Sequence, residues 1–370
     1  MIKIMSIFGT RPEAIKMLPI IKEIQKYPNK FKNITVVTGQ HREMLDQVLT
    51  LFRVVPDYDL QIMHPNQTLT DITLEVLSGL SNILALENPD IVLVHGDTTT
   101  TFAASLSAFY HKIPVGHVEA GLRTWDRNNP FPEELNRQLT DSLSELYFAP
   151  TEQSKQNLLK ENHPENNIFV TGNTAIDAIK YSVTDDFNHP VLEKICIQNK
   201  IILLTMHRRE NQGQPMIDVF KAIIEVVERY QGVEVIFPVH LSPKVQKLAN
   251  SYLKGIDRIH MIEPLNMFDF HNIISRSSFI LTDSGGIQEE APALNKPVLV
   301  LRSETERPEG VLAGASKLIG TDTESVLREV ENLLLDDTSY SKMANAKNPY
   351  GDGMSAMKIV NIIENAFKKN

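Results

Sequence analysis

Short apolar runs alternate with longer stretches of helical spacing along most of this chain. Ile2–Phe8 precedes Ala14–Gln25, Ile34–Thr38 precedes His41–Leu51, Ile91–His95 precedes Thr99–Tyr110, Val115–Glu119 precedes Glu133–Leu143, and Tyr147–Ala149 precedes Thr151–Glu161. A strand that is apolar at successive positions is covered on both faces, and an amphipathic helix after each such strand marks a parallel, doubly wound sheet. A polar, irregular stretch near Asp185–Asn199 interrupts the pattern, which then restarts. Ile201–Thr205 precedes Met216–Tyr230, Val233–Val239 precedes Lys244–Leu253, His260–Ile262 precedes Asp269–Arg276, and Phe279–Thr282 precedes Gly286–Ala293, with Val298–Leu301 following. A last helical stretch, Ser355–Lys368, places Met357, Ile359, Val360, Ile363 and Phe367 at helical spacing after the turn-rich Asn348–Gly353. The spacing predicts two α/β domains of one class. Ligands of open α/β sheets bind outside the carboxyl ends of the strands, so the strand-end motifs of both halves are expected to face one interdomain cleft.

A chain of 370 residues suits two domains, and 42% hydrophobic with 22% charged residues is ordinary for a globular enzyme. The net charge of −9 argues against broad binding to nucleic acid or anionic membranes, so an anionic ligand has to be met by a local basic pocket. Cys196 is the single cysteine, which excludes an intrachain disulfide and a multi-cysteine metal site and fits a reducing cytoplasm. Met1–Phe8 reads as a buried strand and lacks the parts of a signal peptide. No apolar run approaches the roughly 18 residues that suggest a membrane span.

Chemistry collects at the strand ends. Asp283-Ser284-Gly285-Gly286 follows the apolar Phe279–Leu281 and opens a helical stretch, leaving backbone N–H groups with no side chains in the way, which is a seat for phosphate. Gly9-Thr10-Arg11-Pro12-Glu13 lies between another strand and helix; Arg11 and Lys16 suit a diphosphate, or solvated positions in an ordinary turn. Gly-x-Gly-x-x-Gly is missing here, which weakens a nicotinamide reading, and no cofactor or metal is expected. Asp97 and Glu119 end two strands on the same sheet edge, where partial desolvation raises a carboxyl pKa and suits it to proton transfer. Asp97 also suits the cap of the helix starting near Thr99, and Glu133 and Glu134 suit a helix dipole as well as an acidic site. His207, next to Arg208 and Arg209, fits phosphate contact or proton shuttling, and the adjacent guanidinium groups are expected to disfavour its protonation. His95, His117 and His240 also fall near strand ends, without paired metal-ligand spacing. Glu290 suits ribose hydroxyls and Arg307 a phosphate cage, or both belong to solvated charged stretches.

FGTRPEAIKM, VLVHGDTTTT, GHVEAGLRT, FPEELNRQ, TGNTAIDA, HRREN, PVHLSP, LTDSGGIQEEAP, ERPEG and NPYGDG follow one another along nearly the whole chain. In these motifs it resembles the non-hydrolysing UDP-N-acetylglucosamine 2-epimerases. The resemblance implies a glycosyltransferase-B-like fold: a Rossmann-like domain over 1–170 with the catalytic carboxylates, a UDP-binding domain over 171–353, and the helix 354–370 packing back on the first. It implies Asp97, Glu119, Glu133 and His207 as catalytic, and Arg11, Lys16, Phe270, Ser284, Gly285, Gly286, Glu290 and Arg307 as substrate-binding, with the Phe270 backbone at uracil. It further implies reversible conversion of UDP-GlcNAc to UDP-ManNAc through a 2-acetamidoglucal, without NAD, in a cytoplasmic homodimer that serves cell-envelope polysaccharide synthesis. A hydrolysing epimerase releasing free ManNAc and UDP is the alternative. Relatives carry a second, activating UDP-GlcNAc pocket whose lining Gln40, His41 and Glu133 match, but Glu43 stands where glutamine is expected and Asn66 where arginine is expected. Losing a cation and gaining an anion beside a diphosphate is expected to weaken activation.

Overall fold

A computed structural model describes residues 1–39, 42–64, 66–305 and 307–368, with the backbone alone at 42–44. The chain forms two compact units, one of Met1–Tyr181 together with the segment from Gly351 onward, the other of Ser182–Tyr350.

The first unit holds a parallel sheet of β1 (Ile2–Phe8), β2 (Phe31–Val37), β3 (Tyr58–Asp59), β4 (Ile91–His95), β5 (Val115–Val118), β6 (Leu146–Ala149) and β7 (Ile168–Val170), in the order β3-β2-β1-β4-β5-β6-β7. The second holds β8 (Lys200–Thr205), β9 (Val233–Pro238), β10 (Ile259–Ile262), β11 (Phe279–Thr282), β12 (Val298–Val300) and β13 (Ser316–Leu318), in the order β10-β9-β8-β11-β12-β13. Each is a doubly wound sheet, as the alternating pattern predicts. In each the strand order reverses beside the first strand, between β1 and β4 and between β8 and β11. Loops leaving the carboxyl ends part company there, which makes these the places for a ligand.

Burial explains the strands. All five residues of β4 are buried, which only a sheet covered on both faces allows. Leu203, Ile236 and Ile280 fill one face of the second sheet with Ile273 and Ile287, while Leu204, Val235 and Leu281 fill the other with Phe220 and Val245. The edge strands β3, β7 and β13, which the apolar pattern does not reveal, are two or three residues long and keep an exposed or half-exposed position.

Two further elements differ from the expectation. The helix Leu69–Glu87 has the length and apolar composition to span a bilayer, at a mean hydropathy of 1.3. Its stripe Ile72, Val76, Leu80 and Leu84 nevertheless packs into the first unit's core with Val36, Val92 and Ala104, while the rest of the helix is exposed or half-exposed. The boundary at 170/171 falls before the helix Thr174–Ser182, whose Asp177 belongs with the first unit. Its carboxylate accepts the N–H groups of Ser355 and Ala356 at 3.1 and 3.0 Å, capping the helix Ser355–Lys368.

Candidate active site

In the first unit the site grows from the ends of β1, β4 and β5. Gly9 closes β1 against its neighbours: a Cβ there would lie 2.1 Å from Thr38 Oγ1 and 2.9 Å from Thr100 Oγ1. Thr10 and Glu13 form a reciprocal cap on the helix Arg11–Gln25. The buried Glu13 carboxylate goes further, accepting the N–H groups of Gly9 and Thr10 on one oxygen and the hydroxyls of Thr98 and Thr101 on the other. One carboxylate thereby fixes the β1 loop to the start of the helix Thr99–Tyr110. Thr98, not Asp97, caps that helix, by accepting the Thr101 N–H at 3.1 Å. Asp97 is left for other work.

Asp97 lies against Arg137, with Nη1 3.7 Å from Oδ2, while Asn136 donates to the Asp97 carbonyl at 2.9 Å. Burial pushes the Asp97 carboxyl up to about 6, with Glu119 and Glu133 adding to the rise and Arg137 and Lys16 opposing it. Its neighbour Glu119 has φ of 68°, a left-handed conformation that costs a residue with a side chain about 1 kcal/mol or more. Lys16 bonds one Glu119 oxygen, and His95 Nε2 stands 3.4 Å from the other. Burial pushes His95 down to about 3, so it is neutral at physiological pH, and neither ring nitrogen has a hydrogen-bond partner among the described residues. Glu133 is half-buried at the start of the helix Glu133–Leu143. Its neighbour Glu134 is the structural one of the pair, accepting the N–H groups of Thr124 and Trp125 at 3.0 and 3.1 Å. Asp97, Glu119, Lys16 and Arg137 therefore form one charged cluster, with Glu133 near enough for its charge to be felt at Asp97.

Beneath it lies a buried network. His117 Nδ1 is 2.6 Å from Asp141 Oδ1 and Nε2 is 2.7 Å from the Gly96 carbonyl, while Arg123 donates to Asp141 at 2.6 Å. Burial alone would raise the Asp141 carboxyl, but His117 and Arg123 hold it below its ordinary value. His117 supports the loop that carries Asp97 from below.

In the second unit the ends of β8, β11 and β12 converge on Asp283. This fully buried carboxylate accepts the N–H groups of His207 and Arg208 and the side-chain amide of Asn211, with His207 Nδ1 3.2 Å away. Burial opposes the charge, yet these hydrogen bonds hold Asp283 below its ordinary value. His207 thus answers to a carboxylate rather than only to the guanidinium groups beside it in sequence. Its ring is 41% exposed and stacks on His240 at 5.6 Å. Ser284-Gly285-Gly286 opens the helix Gly285–Glu290 with no side chain capping it, and a Cβ added at Gly286 would meet nothing within 4 Å. The turn is open, as a phosphate seat has to be. Arg307 pairs with Glu289 and Glu290 approaches His271, while the Phe270 N–H is spent on the Asn266 carbonyl in its own helix.

The model of the UDP-N-acetylglucosamine 2-epimerase family matches residues 22–364. The chain belongs to this family. It is 57% identical over 359 residues to the UDP-N-acetylglucosamine 2-epimerase of Bacillus subtilis, covering 97% of this chain and 94% of the relative. It is similar, with a TM-score of 0.87 and 38% identity over 98% of this chain and 99% of the other, to the UDP-GlcNAc 2-epimerase of Methanocaldococcus jannaschii. The Neisseria meningitidis UDP-GlcNAc 2-epimerase, solved bound to UDP-GlcNAc, matches with a TM-score of 0.83 and 49% identity over 98% and 99% of the two chains.

Within this family member, the residues expected to line an activator pocket are only partly visible. Gln40 and His41 lie outside the described residues, as does the Glu43 side chain, and Asn66 is exposed with φ of 61°. Four residues of the site escape motif reading as functional: Glu13, Arg137, Asp141 and Asp283. Each works through backbone groups or another charge, and the signal in sequence is a carboxylate or guanidinium within an otherwise buried pattern.

Proposed function

We propose that the protein interconverts UDP-N-acetylglucosamine and UDP-N-acetylmannosamine by reversible elimination of UDP, without releasing free sugar. The observation that carries this reading is the carboxyl pair Asp97 and Glu119 at neighbouring strand ends, with Asp97 poised near neutrality beside Arg137. The C2 proton of the sugar has no adjacent carbonyl, so the enzyme has either to oxidise the sugar or to expel a neighbouring group. The chain lacks the dinucleotide fingerprint after β1, which favours expulsion.

In the expulsion, the C1–O bond breaks and its electron pair leaves with UDP. The C2–H pair becomes the C1=C2 double bond of 2-acetamidoglucal, and the proton passes to a carboxylate. Protonation of C2 from the opposite face and return of the UDP oxygen to C1 complete the inversion. Two faces call for more than one proton-transfer group, which Asp97, Glu119 and Glu133 supply. In the second unit the Ser284-Gly285-Gly286 turn and Arg307 offset the charge that develops on the diphosphate, His207 contacts it, Glu290 takes the ribose and the Phe270 backbone takes uracil, while Arg11 and Lys16 supply the positive charge of the first unit. The Neisseria relative's UDP-GlcNAc complex supports this ligand class. The proposal extends to a cytoplasmic homodimer that supplies activated N-acetylmannosamine for cell-envelope polysaccharide. With Glu43 and Asn66 in place of the expected residues, turnover of UDP-ManNAc should show no steep dependence on trace UDP-GlcNAc.

Product analysis by anion-exchange chromatography tests the reading. UDP-GlcNAc should convert to a mixture with UDP-ManNAc while total UDP-sugar stays constant. Accumulation of free N-acetylmannosamine with equal UDP would replace it with the hydrolysing reaction.

A further inference from the structure

In the second unit, the helix Met267–Arg276 carries a fully buried histidine that the proposed chemistry does not use. His271 is 2% exposed. Its Nδ1 lies 2.6 Å from Ser182 Oγ, and its Nε2 faces Glu290 Oε2 at 3.4 Å. The ring is therefore pinned on one side and directed at a half-exposed carboxylate on the other, Glu290 being 21% exposed at its side chain.

The pinning is unusually thorough. Asn272, the next residue, donates to the Ser182 carbonyl at 2.6 Å and accepts the Thr184 N–H at 3.0 Å. Arg276, one turn on, donates to the carbonyls of Thr184 and Asp185, both at 3.0 Å. The first residues of the second unit are thus strapped to this helix, and the imidazole that the strap holds cannot swing away from Glu290. A buried histidine whose second nitrogen approaches one oxygen of a carboxylate fixes that carboxylate's plane, in the way an outer-sphere partner orients a ligand residue. The other oxygen is then left with a defined direction in which to accept hydroxyl donors.

We infer that His271 is a specificity-determining positioning residue: by holding Glu290 in one orientation, it makes the site select a nucleotide with an intact ribose diol over its deoxy counterparts. This rests on the reading of Glu290 as the ribose contact. The physical reason is asymmetric. A carboxylate held in place and partly desolvated loses a hydrogen bond outright when a hydroxyl is missing, whereas a carboxylate free to rotate turns to water and loses little.

The test is calorimetric binding of UDP, 2′-deoxy-UDP and 3′-deoxy-UDP to the full-length wild type and to His271→Phe and His271→Gln. The wild type should prefer UDP over at least one deoxy analogue by on the order of ten- to a hundredfold, the range of a hydrogen bond to a charged group. His271→Phe, which keeps the ring volume without a donor, should bring that ratio down to a few-fold, mainly by weakening UDP. His271→Gln, which keeps an N–H donor, should recover a good part of it. Ser182→Ala, which removes the hydroxyl that holds Nδ1, should lower the ratio by less, and it decides the matter should His271→Phe fail to fold. An unchanged ratio in a folded His271→Phe, or in Ser182→Ala where that variant decides, overturns the role of His271 and leaves the ribose reading of Glu290 standing. Equal binding of all three nucleotides by the wild type removes the ribose reading and this inference with it, while the epimerase reading is judged separately by turnover.

Discussion

At the scale of single residues, Asp97 is the group whose environment says most about chemistry. Its carboxyl titrates near 6, so the pH dependence of kcat/KM should show an inflection there. Arg137 favours the charged form, and Arg137→Met should therefore move the inflection upward; an unmoved inflection would detach Arg137 from Asp97. Asp97→Asn should slow turnover on the order of a hundredfold or more. The same shift has a stability side. A carboxyl raised in the folded state contributes stability below its ordinary range that is lost as pH rises through about 6. Above that pH Asp97→Asn should unfold no earlier than wild type in urea, and about 1 kcal/mol later, since Asp97 is still 30% exposed at its side chain. Slower and no less stable is the expected pairing. Asp97 and Glu119 are legible in sequence because strand ends advertise them. Arg137 is not, because its role depends on the approach of a helix from elsewhere in the chain.

At the scale of elements, Asp283 binds the loop after β8 to the end of β11. Its folded value lies below the ordinary carboxylate range, so the stability it contributes is present above that range and is lost as pH falls through the lower value. Asp283→Asn should remove roughly 2–4 kcal/mol from the second unit near neutral pH, read by urea unfolding, with the difference shrinking under acid conditions. A loss that stays constant down to pH 3 would contradict this. The apolar strands β4, β8 and β11 declare themselves in the sequence because both faces are covered. β3, β7 and β13 do not, since an edge strand of two or three residues has too few buried positions to show a period. The helix Leu69–Glu87 hides for the opposite reason: Leu69, Leu74 and Leu86 are exposed and blur the stripe of Ile72, Val76, Leu80 and Leu84.

At the scale of the whole molecule, two units of one class are visible as a pattern that stops near Asp185 and starts again. The chain's return to the first unit is a tertiary fact, and the cap that Asp177 puts on its last helix comes from a residue the period does not mark. Ile359, Val360 and Ile363 on that final helix are at most 1% exposed. Deleting the chain from Gly351 onward should cost the first unit on the order of 5 kcal/mol in urea unfolding, from three buried aliphatic side chains at roughly 1.5–3 kcal/mol each.

The most direct measurement of the central claim is turnover of UDP-GlcNAc in deuterated water, with C2 of both UDP-sugars followed by proton NMR. Deuterium should enter C2 of UDP-ManNAc and of recovered UDP-GlcNAc, and Asp97→Asn should suppress the exchange together with interconversion. Interconversion that leaves the original hydrogen at C2 would contradict proton removal at that carbon and the roles given to the carboxylates.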